Sequence, residues 1–263
     1  MKQMENLKLR YNILRERCAE LYERYNHRKY DAGPAIESRY IEEVGQYEFQ
    51  AFRLEVASAR WKRRFELRQI AINLGTEPDY VAIEKTLDAE YAEYEKSMTE
   101  KAASMDRAQL YISRGFMTDE DATNIRVLYL TAVKRLHPDV NPGAGRDAQD
   151  LLSRISEAYK KREWHEVRFL SGMVEHFAGD CIKDFDALDE AGKLSECERL
   201  EQVCGTVREK LSRMDEEIPW CYEVLFDDPE RLLAKRRSIE AQIRNLKEQI
   251  SAYEAKWNME VKK

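Results

Sequence analysis

From Leu7 the apolar side chains fall at Leu7, Tyr11, Leu14, Cys18, Leu21 and Tyr25, alternating steps of four and three. That spacing draws one stripe along a helix, and a helix with such a stripe needs a partner to cover it. The pattern returns at Tyr40, Val44, Tyr47, Ala51, Leu54, Ser58, Trp61 and Phe65, and continues to Ile72 before Leu74-Gly75. A helix over 36–74 would be about 58 Å long at 1.5 Å per residue, and such a rod cannot bury its stripe alone. Ile83, Leu87, Tyr91, Tyr94 and Met98 carry the pattern toward Tyr111, with Pro78 suited to a first helical turn. The short "GTEPD" link turns residues 36–113 into a long antiparallel hairpin. A break is expected before it, at "DAGPA" around Gly33 and Pro34.

The C-terminal part repeats the style. One helix is expected from about Cys181 to Met214, with Leu200, Val207, Leu211 and Met214 apolar. A second starts at "FDDPERLL", where Asp228 is a good N-cap and Pro229 a good first residue, and its stripe is Ile239, Ile243, Leu246, Ile250, Tyr253 and Trp257. That last stripe suits pairing with the N-terminal helix or with a second copy, so a homodimer through a coiled coil is open. Charged residues at 36%, with only 10 glycines and 6 prolines, fit the same all-α, coiled-coil-rich class.

Charge narrows the partners. A net charge of −6 arises from 44 basic and 50 acidic side chains mixed along the chain, so no large field of one sign exists and nucleic acid is not expected as a partner. No apolar run reaches membrane-spanning length, and "MKQMENLKLR" lacks the apolar core of a signal peptide, so no membrane association and a cytoplasmic location are expected. The five cysteines form no Cys-x-x-Cys pair and read as reduced thiols, several on apolar helix faces. No metal and no cofactor is expected. The basic cluster Arg60, Lys62, Arg63, Arg64 and Arg68 reads as a solvated face paired with glutamates. With no phosphate loop, no nucleophile elbow and no singled-out acid–base pair, the chain does not read as an enzyme.

One segment differs. In "FMTDEDATNIRVLYLTAVKRLHPDVNP", Thr118 and Asp121 make a weak capping box, and Ile125, Leu128, Ala132 and Leu136 give the helix a core face. The helix should stop near Leu136, because Pro138 pushes His137 out of the helical region. Asn141-Pro142-Gly143 make a turn, and Asp147 can cap a next helix whose inward face is Leu151, Leu152, Ile155, Ala158 and Tyr159. The division is thus 1–114 N-terminal coiled-coil helices, 115–178 helix-loop-helix segment, and 179–263 C-terminal helical coiled coil.

Ile125, Tyr129, Lys134, Arg135, the His137-Pro138-Asp139 tripeptide, Asn141-Pro142 and "SEAY" at 156–159 together resemble the J-domain of DnaJ-type co-chaperones, over residues 116–162. The resemblance implies docking on a DnaK-type ATPase chaperone and stimulation of its ATP hydrolysis. His137, Pro138 and Asp139 would form the essential loop, with Arg126, Tyr129, Lys134, Arg135 and Asn141 among the docking residues. The coiled-coil arms would then recruit an unknown client or assembly. The usual opening helix of the family, with its Tyr-x-x-Leu-Gly-Val pattern, is missing, and Leu130 and Thr131 stand where the docking helix is commonly basic. With Val127 and Val133 nearby, that helix is apolar on more than its core face, so another helix of the chain is expected across it. The alternative is a scaffolding coiled-coil protein with a degenerate hairpin, His137 and Asp139 serving only to close the loop. An exposed loop with free cations favours the first reading, and a loop sealed against another helix favours the second.

Overall fold

Scarce glycine and proline leave little to interrupt a helix. The structure, a computed structural model, describes residues 2–113, 119–177 and 185–261. Its helices are α1 (Lys2–His27), α2 (Gly33–Tyr40), α3 (Gln46–Asn73), α4 (Tyr80–Ser113), α5 (Asp119–Leu136), α6 (Arg146–Lys160), α7 (Trp164–Ser171), α8 (Val174–Phe177), α9 (Glu190–Glu216), α10 (Glu223–Phe226) and α11 (Pro229–Val261). No strand occurs among the described residues, and the fold is all-α.

The expected break at "DAGPA" does not occur. Residues Arg28–Ala32 form a wider π-helical turn, in which the Gly33 N–H donates to the Arg28 carbonyl, and Gly33 itself is helical at φ −59° and ψ −53°. A proline ring normally collides with the carbonyl four residues before it, and a widened turn displaces that carbonyl, so Pro34 is accommodated. A β-carbon on Gly33 would lie 2.9 Å from the Arg28 oxygen, which explains glycine at this position. A second π-helical turn spans Ile41–Gly45.

Helix starts follow side-chain oxygens. Asp228 accepts from the Arg231 N–H, as expected. Asp79, one residue past Pro78, caps α4 by accepting from Val81 and Ala82. Asp189 caps α9 through the Gly192 N–H, so that helix begins at Glu190 and not near Cys181, which lies outside the described residues. Asp147 is inside the first turn of α6, which follows Gly145 with no side-chain cap. Thr118 also lies outside the described residues.

The chain divides into two compact units, Met1–Ala35 with Gly115–Cys221 and Ile36–Arg114 with Tyr222–Lys263. Three consecutive segments follow chain order, whereas the units join distant parts because each N-terminal stripe is met by a C-terminal one. In unit 2, α4 runs antiparallel to α3: Phe52 meets Lys101, Arg60 meets Glu95, and Arg64 meets Glu84. On α3, α11 runs parallel, with Glu43 to Arg236, Ser58 to Gln249 and Arg68 to Glu260. Trp61 and Phe65 pack edge-on against Trp257. The arginines of the basic cluster are thus paired within the unit, Arg63 with Glu90 at 2.9 Å and Arg64 with Glu84 at 2.6 Å.

In unit 1, α1 and α9 run parallel, since Arg10 pairs with Glu201 and Arg28 with Asp215. The C-terminal helices therefore do not make a second hairpin: α9 packs along α1, and α11 along α3. Helices α5 and α6 form the short hairpin, closed by α7 and crossed by α1. Ile125, Ala132 and Leu136 of α5, Ile155 of α6 and Val167 of α7 share one core with Cys18 of α1 and Leu200 of α9, all fully buried.

Candidate functional site

The loop after α5 closes on itself. Helix ends leave carbonyls without partners, and here the Asn141 side-chain amide donates to the Arg135 oxygen at 2.7 Å. The backbone N–H groups of Val140 and Asn141 both donate to the His137 oxygen. The His137 backbone N–H donates to the Val133 carbonyl, while its ring turns forward: Nδ1 accepts from the Asp139 N–H at 3.1 Å, which places the neutral ring's proton on Nε2. Asn141 is 1% exposed and carries the capping that sequence reasoning gave to His137 and Asp139.

Helix α1 lies across this loop. The Tyr22 ring sits 4.1 Å from that of His137, and its hydroxyl donates to the Asp139 carboxylate. Burial, together with that carboxylate, raises the Tyr22 pKa, so it remains a phenol able to donate. Arg15 donates to the carbonyls of Val140 at 2.9 Å and Lys134 at 3.3 Å. From α9, Arg199 donates to the Asp139 carbonyl at 2.9 Å while Glu196 holds its guanidinium.

The cations of α5 are partnered in the same way. Arg126 makes a two-pronged pair with Glu23 of α1 at 2.7 and 3.1 Å, Lys134 pairs with Glu16 of α1, and Arg135 meets Glu175 of α8 at 2.5 Å. Two of the predicted docking residues belong to the interior instead. Tyr129 is 3% exposed, packed at a tilt against Tyr159 and bonded to the Ser156 hydroxyl, and Asn141 faces inward for the reason given above. Of the tripeptide, Pro138 is exposed while His137 and Asp139 are half-buried. The structure therefore brings His137, Pro138, Asp139, Lys134 and Arg135 to one end of α5, with Arg126 farther back along the same helix.

Sequence reasoning missed Arg15, Glu16, Tyr22, Glu23 and Arg199. The one signal was the expectation of a helix across the apolar face of α5, and α1 meets it in part: Val133 is buried and Leu130 half-buried, whereas Val127 is 55% exposed. Acidic side chains on α1 meet the cations of α5 as an acidic partner would, so the field this face offers to solvent is largely neutralised.

Two histidines feel this packing. Burial lowers the pKa of His137, opposed by Asp139. Burial also lowers that of His27, helped by the Arg126 charge and opposed by Asp31 and Glu23. Protonation would in addition remove the His137 Nδ1 acceptor from Asp139. Both groups bind protons more readily unfolded than folded, so stability is full above the ordinary histidine pKa of about 6.5 and falls as pH drops below it. The melting temperature is expected to fall between pH 7.5 and 5.5, and the chain carrying His27→Gln and His137→Gln should show a flatter profile over that interval.

A cleft of about 630 Å³ is lined by Asp121, residues 162–166 and Arg168. Its Arg168 is paired with Asp121, and it holds no arrangement of nucleophile and base. Among the described residues no group of three or more His, Cys, Asp or Glu side chains could hold a metal ion, and no helix is long and apolar enough to cross a membrane. Comparison with known proteins finds no matching family model, no matching curated protein and no matching solved structure.

Proposed function

We propose that the protein is a non-enzymatic helical scaffold, cytoplasmic in location, in which the J-like hairpin is a built-in packing unit. One observation carries this reading: Tyr22 covers the His137 ring and holds the Asp139 carboxylate, while Arg15 and Arg199 take the loop carbonyls. A DnaK-type chaperone would have to displace α1 before it met that histidine or aspartate. The paired stripes of α3, α4 and α11 then serve assembly and not client delivery to an ATPase.

A second reading has its own support. Two of the pairs that occupy the α5 cations are solvated on both sides, Arg135–Glu175 with side chains 42% and 67% exposed and Lys134–Glu16 with 34% and 53%, and such pairs contribute only about 0 to 1 kcal/mol each. A co-chaperone whose docking face is uncovered when α1 moves would look the same at rest.

Steady-state ATP hydrolysis by the purified DnaK-type chaperone of the same cell, with the native chain and with His137→Gln, separates the readings. The scaffold reading expects no change of rate from either chain, both being folded by circular dichroism. Stimulation by the native chain that the variant loses overturns it in favour of the co-chaperone.

A further inference from the structure

The parallel pair α1 and α9 brings two thiols together in the middle of unit 1. The Cys197 thiol donates to the Leu7 carbonyl and the Cys204 thiol to the Leu14 carbonyl, each at 3.8 Å. Leu7 and Leu14 each lie one helical turn before Tyr11 and Cys18. The two stripes therefore match layer by layer: Tyr11 with Cys197, Leu14 with Leu200, Cys18 with Cys204, Leu21 with Val207. Cys18 and Cys204 are 0% and 1% exposed, and the thiol of Cys204, held at the Leu14 carbonyl, lies one helical turn from Cys18 in the same core. Facing positions on two packed helices are where the α-carbon separation a disulfide requires, about 4.4 to 6.8 Å, is within reach.

We propose that Cys18 and Cys204 are a disulfide-forming site, oxidised by a hydroperoxide, whose cross-link clamps α1 onto α9 beneath the loop that carries His137 and Asp139. The inference stands apart from either functional reading, because it rests on the helix pair and not on the hairpin. The step balances. One thiolate attacks the outer peroxide oxygen, the O–O bond breaks, and the departing alkoxide takes that thiol's proton to give an alcohol and a sulfenic acid. The second thiolate attacks the sulfenic sulfur, the S–O bond breaks, and hydroxide takes the second proton to leave water.

Burial and the neighbouring Cys204 push the Cys18 thiol up to about 12, so packed Cys18 is nearly all thiol. Oxidation must then proceed through brief separation of α1 from α9, slower than at exposed Cys221. Once formed, the bond fixes α1 one turn before Tyr22, whose ring covers His137. Clamping closes a long loop of chain, and long closed loops restrict the unfolded state most.

The test uses the full-length chain carrying Cys221→Ser, treated with tert-butyl hydroperoxide, digested without reductant and mapped by mass spectrometry. The expected result is one peptide pair joining Cys18 to Cys204, two hydrogens lighter than the reduced peptides and released by dithiothreitol. The melting temperature of the oxidised chain should rise by roughly several degrees. Cys18 and Cys204 still open to alkylation after unfolding, when peroxide treatment has outlasted many cycles of native-state hydrogen exchange in α1, would overturn the proposal. So would cross-links from either cysteine to a different partner. The map needs no change at the pair itself, and Cys18→Ser, where it folds, should leave no cross-link at Cys204.

Discussion

Replacing Ile155 by aspartate is expected to unfold unit 1. Ile155 has no exposed surface and stands at the centre of the inward face of α6, between Leu151, Leu152, Ala158 and Tyr159. The same core holds Ile125 and Leu136 from α5 and Leu200 from α9. Removing the side chain forfeits about 2 to 3 kcal/mol of burial. A carboxylate left there without a partner adds several more, whether it stays charged or takes up a proton. The total, above about 5 kcal/mol, is comparable with the whole stability of an ordinary domain. Urea titration followed by circular dichroism should show loss of the helical signal of α5 and α6 without denaturant. Ile155→Val should cost only about 0.5 to 1.5 kcal/mol, and Ser153→Asp on the exposed face of the same helix should stay within about 0.5 kcal/mol of the native chain. A folded Ile155→Asp chain would mean that this face is not the core.

The core of that hairpin was legible because its signal is local. Pro138 stops the helix, and the residues that repeat at helical spacing on either side, Ile125, Leu128, Ala132 and Leu136 before it and Leu151, Leu152, Ile155, Ala158 and Tyr159 after it, are buried except for half-buried Leu128. Pairing was legible only as a need. The stripe of α1 shows that a partner exists, but Cys18 matches any apolar layer, and the partner turned out to be α9, about 190 positions along the chain. The parallel direction of both long pairs was hidden for the same reason, since a stripe of alternating threes and fours has no polarity. Gly33-Pro34 misled because its cost depends on the turn before it, and a π-helical turn is not written in residue type.

The site itself was half legible. The tripeptide and its flanking cations were found as a group, because they lie on one helix end. What covers them comes from far away: Tyr22 reaches Asp139 across 117 positions, Arg15 reaches Val140 across 125, and Arg199 reaches Asp139 across 60. Nothing in "ERCAELYER" says which carboxylate a tyrosine will meet. The buried position of Asn141 was hidden for a different reason. An exposed turn and a helix C-cap demand the same residue type, and only the depth of the loop, with Asn141 buried, tells them apart.

Replacing Tyr22 by alanine should show what the cover contributes. The ring packs at a tilt against His137 and is half-buried, and its hydroxyl donates to the Asp139 carboxylate. Truncating a fully buried aromatic costs about 3 to 5 kcal/mol, and partial exposure lowers that here to about 2 to 4 kcal/mol. Tyr22→Phe keeps the ring and deletes only the hydroxyl, so it should cost about 1 kcal/mol, less than a buried bond to a charged group, because Asp139 can turn to water. The histidine reports on the same change. Burial holds the His137 pKa down, so uncovering its ring should move the folded value up toward the ordinary one in Tyr22→Ala and leave it nearly in place in Tyr22→Phe, read by NMR titration of the imidazole. The chaperone's ATPase rate is the decisive column beside these. In a scaffold it stays flat with Tyr22→Ala, since Arg15 and Arg199 still hold the loop carbonyls and Tyr129 and Asn141 still face inward. A rate that rises only when Tyr22 is gone, and falls back when His137→Gln is added, would make α1 a removable cover. The solvated pair of Lys134 with Glu16 of α1 would then be the weak link that lets it lift, and the buried Glu23 carboxylate on Arg126 the stronger hold.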